Sequence, residues 1–123
     1  MRKLTNYDKV TYTVECLPED MPVEGNAMSS GDDQYDKEVE ESISNDLDSG
    51  NPWAWCVVKV TAEWNGLKGV DYLGGCSYKS EYDFRQDGYY EDMKDQALQD
   101  LNNILDKEMQ KLSQINDLLK EVI

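Results

Sequence analysis

The sequence predicts an α+β fold of order β-α-β-β-α, a three-stranded, mostly antiparallel sheet with a long helix packed on one face. Three observations carry this. Asn65-Gly66 joins two β-rich runs, residues 53–64 and 67–78. Residues 9–16 alternate apolar and polar side chains, as a half-buried strand does. Residues 89–122 contain no Pro or Gly and repeat apolar side chains at spacings of three and four, the period of a helix. The 123 residues read as a single acidic domain with an acidic insert at 15–51, a central hairpin at 53–78 and a long helix at 89–122 that outruns the sheet.

Taken in order, residues 1–8 read as a loose lead-in. The first strand follows, with Val10, Tyr12, Val14 and Cys16 on one side and Thr11, Thr13 and Glu15 on the other. Pro18 and Pro22 end it. The loop beyond is expected to run across the second face of the sheet, with Leu17, Met21, Val23 and Met28 covering Trp53 and Trp55. A helix then starts under a cap at Ser29 or Ser30, with Asp32, Asp33 and Asp36 crowding its positive end. Tyr35, Val39, Ile43 and Leu47 form its narrow apolar stripe, and Glu38, Glu40, Glu41 and Asp46 are read as its opposite face. Ser49-Gly50-Asn51-Pro52 stops it.

The hairpin is the most strongly specified element. A type I′ turn needs positive φ at both central residues, and Asn-Gly meets that need. With those two as the loop, Trp64 faces Leu67, Glu63 faces Lys68, Val58 faces Leu73 and Trp55 faces Cys76. Glu63 and Lys68 are a favourable cross-strand pair. Gly74-Gly75 would let the ring of Trp55, or a neighbouring strand, lie close to the backbone. Asp71 falls opposite Val60 on the apolar face, unless a bulge at Gly69 swings it outward. A polar loop follows, in which Phe84 and Tyr90 are expected to close one end of the core.

The last helix is read through Leu98, Leu101, Leu105, Leu112, Ile115, Leu119 and Val122, with Glu108 at the one missing position. Ala97, Ile104, Met109, Leu118 and Ile123 widen the stripe. A helix of this length extends about 50 Å, against about 20 Å for a strand. The sheet therefore covers only its first half. Leu112, Ile115, Leu119 and Val122 need another partner, and a second copy, giving a homodimer, is the expected one. The alternatives are a break near residues 107 and 108, or a frayed tail.

Charge narrows the function. The net charge is −14, and residues 15–51 hold 12 acidic side chains against one lysine, Lys37, so about four-fifths of it lies in one insert. Such a field repels nucleic acid and lipid headgroups and attracts basic surfaces. Direct nucleic-acid binding and membrane binding are therefore not expected. No run approaches the roughly 18 apolar residues of a membrane span. Three cysteines, an odd number with no CxxC pair, read as small buried side chains in a reducing cytoplasm. There is no histidine, so the commonest general base and metal ligand is absent. No GxGxxG, GxxxxGK[ST], HExxH or GxSxG occurs. Asp46-x-Asp48-x-Gly50 resembles the start of a calcium loop but lacks the later ligands. No catalytic residue, metal or cofactor is expected.

Two surfaces remain as candidates. One is acidic: Asp32, Asp33, Asp36, Glu38, Glu40, Glu41 and Asp46, preceded by Glu19, Asp20 and Glu24. The other is aromatic and cationic: Tyr78, Lys79, Tyr82 and Arg85, suited to stacking on a nucleotide or anchoring a protein interface.

The segments PEDMPVEGNAMSSGDD, WAWCVVKVTAEWNGLKGVDYLGGCSY and DGYYEDMKDQAL resemble a family of small acidic proteins carried by phages and other mobile elements. The resemblance spans roughly residues 14–100 and brings no catalytic motif. In role, such proteins are similar to anti-CRISPR and anti-restriction inhibitors, many of which mimic DNA by presenting carboxylates where a nuclease expects phosphates. The resemblance implies a stoichiometric inhibitor in the host cytoplasm. It would bind a bacterial defence protein, a CRISPR effector or nuclease, at a basic groove. The alternatives are a dimeric protein that sequesters a nucleotide signal, and a self-assembling phage structural or regulatory protein.

Overall fold

A computed structural model describes residues 3–5 and 7–122; Ile123, read above as a flank of the last helix, lies outside the described residues. The elements are β1 (Thr11–Pro18), α1 (Asp33–Asp48), a 3-10 turn (Pro52–Ala54), β2 (Cys56–Trp64), β3 (Leu67–Cys76), α2 (Glu81–Arg85) and α3 (Gly88–Val122). β2 is the central strand and both its neighbours run antiparallel to it. The architecture is α+β, as expected. The short α2 occupies what reads in sequence as a polar loop.

Asn65 and Gly66 both take positive φ, 49° and 80°, the pair a type I′ turn requires. The register follows from the turn: Trp64 faces Leu67, Glu63 faces Lys68 and Val58 faces Leu73. It then slips by one, so that Cys56, not Trp55, faces Cys76. The extra residue is absorbed at the glycine pair, where Gly75 has φ 64°; a left-handed glycine is the usual device for a bulge. Gly69 forms no bulge. It pairs with Ala62 in regular register, and Asp71 stays opposite Val60.

Gly69 has a different use. A Cβ there would run into the backbone of Ala97 and Leu101 in α3. The helix axis therefore sits low on the sheet, and the side chain beneath it must be small. This decides the helix rotation: Tyr90, Met93, Ala97, Leu101 and Leu105 are buried, and Leu98 is a half-buried flank rather than the centre of the stripe. Against them β2 places Cys56, Val58, Val60 and Ala62, all without exposed surface. Asp100 Oδ2 accepts from the Val70 N–H at 2.8 Å, so α3 also satisfies a backbone donor of edge strand β3.

Two expectations about the ends of the core are corrected. The lead-in is not loose at Leu4, which is 5% exposed and joins the core. Its N–H donates to Asn102 Oδ1 (2.8 Å), and Asn102 Nδ2 donates back to the Leu4 carbonyl (3.1 Å). Trp53 is not on a strand beside Trp55. Pro52 opens a 3-10 turn, capped by Asn51 Oδ1 accepting from the Trp53 N–H at 3.1 Å. The turn swings Trp53 onto Phe84, 5.9 Å between ring centres, where Tyr78 and Tyr90 also pack. Phe84 and Tyr90 thus close one end of the core, as expected. Trp55 does point to the second face. Its Nε1 donates to the Met21 carbonyl at 2.6 Å, and its ring passes 3.7 Å from the Cβ position of Gly75.

Cys56 and Cys76 are buried and Cys16 half-buried, all as free thiols. Burial pushes all three thiols up, Cys76 to about 11, which disfavours the reactive thiolate.

α3 is one unbroken helix of 35 residues, about 50 Å long. It neither breaks nor folds back near residues 107 and 108. From Asp106 to Val122 every residue is exposed.

Candidate functional site

The acidic insert is built around α1. Asp32, not Ser29 or Ser30, is its N-cap: with extended φ −108° and ψ 102°, its Oδ1 accepts from the Gln34 and Tyr35 N–H groups at 3.1 Å each. Gly31, at φ 91°, turns the chain into that cap. Ser30 instead serves Asp36. Its hydroxyl donates to Asp36 Oδ1 at 2.6 Å and its N–H at 3.1 Å. Two of the seven predicted interface carboxylates are therefore occupied in holding the start of the helix.

None of the 16 residues of α1 is buried. Val39 and Ile43 are half-buried, while Tyr35 and Leu47 are 49% and 37% exposed. The helix leans on the 3-10 turn and makes little contact with the sheet. At 100° per residue, the side opposite its apolar stripe carries Gln34, Lys37, Glu38, Glu41, Asn45 and Asp48, with Asp33 at its border. The structure thus separates the predicted set. Asp33, Glu38 and Glu41 are exposed on the outward side. Glu40 is half-buried at the edge of the stripe beside Leu47. Asp46, read in the sequence as part of the opposite face, is exposed but falls within the arc of the stripe itself, between Tyr35 and Val39.

Two concavities touch this helix. One of about 700 Å³ lies between α1 and the preceding loop, bordered by Glu24, Asp33, Asp36, Lys37, Glu40 and Glu41. A second, of about 470 Å³, lies against Asp33, Gln34, Lys37, Glu38 and Glu41. Asp33 and Glu41 border both, one turn either side of Lys37. Sequence reading missed Asp48 and the central place of Lys37. The i, i+4, i+8 series Asp33, Lys37, Glu41 was the available signal.

Of the acids before α1, Glu19 belongs elsewhere. Its Oε2 accepts from the Gly75 N–H (2.7 Å) and its Oε1 from the Met21 N–H (3.1 Å). The Gly75 N–H, then that of Met21, holds its carboxyl below the usual range. It ties the loop to the bulge in β3.

The aromatic and cationic candidates do not form one pocket. Tyr78 donates its hydroxyl to Asp87 Oδ2 at 3.0 Å, and burial, reinforced by that carboxylate, raises its pKa. The 240 Å³ hollow beside Tyr78 is lined by the Gly74-Gly75 bulge, Asp87 and Tyr89, with no cation. Arg85 is engaged by Glu81 (2.9 Å) and by the hydroxyl of Tyr90 (3.1 Å). Tyr82 is 73% exposed, and neither it nor Lys79 borders that hollow.

Asp71 is half-buried on edge strand β3, and Asp46 and Asp48 lie in the last turn of α1. Among the described residues no three His, Cys, Asp or Glu side chains converge to hold a metal ion. Among them, too, no helix is long and apolar enough to cross a membrane. Comparison with protein-family models, curated proteins and solved structures gives no significant match.

Proposed function

We propose that this chain is a phage-encoded stoichiometric inhibitor of a bacterial defence system. It acts in the host cytoplasm by seating the outward face of α1 in the basic nucleic-acid groove of a CRISPR effector or nuclease. One observation carries the reading: α1 is a 16-residue helix that buries none of its side chains and turns Asp33, Glu38, Glu41 and Asp48 to solvent. A helix that adds so little to the core keeps its side chains available to a partner. Carboxylates spaced along a helix present negative charge to a groove built for a duplex, which carries one phosphate charge per roughly 1.7 Å of axis. Association through such a face is steered by charge and weakens with salt. The nucleotide-sequestering alternative gains no support from the site, because Tyr78, Lys79, Tyr82 and Arg85 do not converge.

The test is co-elution of the full chain with a panel of guide-loaded CRISPR effectors and restriction nucleases, with labelled target DNA as competitor. The expected result is a complex that excludes the DNA and falls apart as salt rises. The triple variant Asp33→Lys, Glu38→Lys, Glu41→Lys, with its circular dichroism unchanged, should lose that complex. Those three positions are chosen because Asp32 and Asp36 hold the helix start. Binding retained by the triple variant, or no binding to any member of the panel, removes the proposal.

A further inference from the structure

Among the described residues, nothing covers the apolar face of the second half of α3. Met109, Leu112, Ile115, Leu118, Leu119 and Val122 are between 43% and 77% exposed. Leu105, Glu108, Leu112, Ile115, Leu119 and Val122 continue one seam at alternating spacings of three and four, with Met109 and Leu118 on its flanks. We propose that this segment pairs with the same segment of a second copy, and that the two helices run antiparallel with Leu112 packed against Ile115 of the other copy.

Charge selects the occupant. Residues 106–122 carry four acids (Asp106, Glu108, Asp117, Glu121) and three lysines (Lys107, Lys111, Lys120), a net charge of −1 in a chain of −14. The segment is nearly neutral where the rest of the molecule is strongly acidic. It offers no acidic field to a basic groove, and no lysine-rich polar face to an anionic lipid surface. It is a long exposed stretch on which two such acidic molecules can meet with little repulsion. The helix is already nucleated by its packed first half, so pairing does not carry the initiation penalty of a free peptide of this length.

Glu108 selects the direction. In a parallel pair the two Glu108 side chains would face each other in the seam, and both acidic bodies would lie at the same end. In the antiparallel pair with Leu112 against Ile115, Glu108 lies across from Leu119, and Lys111, 3.4 Å from its Oε1, accompanies it at the seam edge. Leu105 of one copy then aligns with Val122 of the other. The two bodies begin about 25 Å apart along the axis, roughly three Debye lengths at physiological salt. The helix dipoles also oppose each other favourably. This inference does not rest on the acidic face of α1, and either can fail without the other.

The test uses the full chain. Light scattering should give a dimer at concentrations on the order of 0.1 mM, well above a micromolar Kd. Leu112→Lys with Leu119→Lys should return it to a monomer with an unchanged near-ultraviolet dichroism spectrum, since both positions are exposed. Orientation is read by disulfide trapping under mild oxidation, with the native chain as the control for its own thiols. Mixed Leu112→Cys and Ile115→Cys chains should link to each other several-fold more than either links to itself. A monomer at that concentration overturns the pairing. Preferential self-linking of Leu112→Cys overturns the direction.

Discussion

The two halves of α3 carry almost the same amphipathic pattern and meet opposite fates. From Tyr90 to Leu105 the seam residues Tyr90, Met93, Ala97, Leu101 and Leu105 are at most 9% exposed, with Leu98 and Ile104 half-buried beside them; from Met109 to Val122 the apolar side chains are at least 43% exposed. The difference does not lie in the helix. It lies in what stands opposite: a strand with a bare Gly69 on which the helix backbone can rest, or nothing among the described residues. Amphipathicity states that a face wants cover. Only the shape of the partner states whether the cover comes from the same molecule.

The hardest way to break this contrast is to fill the seat. Gly69→Val would drive side-chain atoms into the backbone of Ala97 and Leu101, which cannot move aside as a side chain can. We expect a loss of at least about 3 kcal/mol, seen as a collapsed urea midpoint or a chain that no longer unfolds cooperatively. A wild-type midpoint would mean that the backbone of α3 does not rest on Gly69. Next in size is a paired truncation. Leu101→Ala removes a fully buried side chain and should lose about 3–5 kcal/mol. Leu112→Ala, measured in solution dilute enough to be monomeric, should change stability by less than about 0.5 kcal/mol. Equal effects would erase the distinction between the halves. The smallest expected effect concerns polar side chains. Asp100→Ala leaves the Val70 N–H without its acceptor and should lose about 1–2 kcal/mol by chemical denaturation. The matched Asp117→Ala, on the exposed half, should be neutral.

What the sequence disclosed follows from where local chemistry is decisive. The Asn65-Gly66 turn fixes its own φ values, and with them the pairing from Trp64 to Val58. Beyond Val58 the register depends on which of two adjacent glycines enters the left-handed region, and no alternation pattern announces that. Trp53 continues the alternation of β2 on paper, yet Pro52 places it in a turn. For α3, leucines suggested a stripe through Leu98, because hydrophobicity ranks leucine above alanine. The close approach at Gly69 ranks them the other way and selects Ala97. Of the acidic site, the helix and its charge were legible, but the employment of Asp32 as cap and of Asp36 as the partner of Ser30 was not. Each depends on a one-residue choice of where the helix starts.

The clamp between Leu4 and Asn102 joins residues 98 positions apart. On a chain made from its N-terminus, Leu4 is made 98 residues before its partner exists. The hairpin and the packed part of α3 are contiguous, from Cys56 to Leu105, and need no such wait. Assembly therefore has a natural chronology: the segment from Cys56 to Leu105 organises first, and the earlier-made residues around Leu4 close over it last.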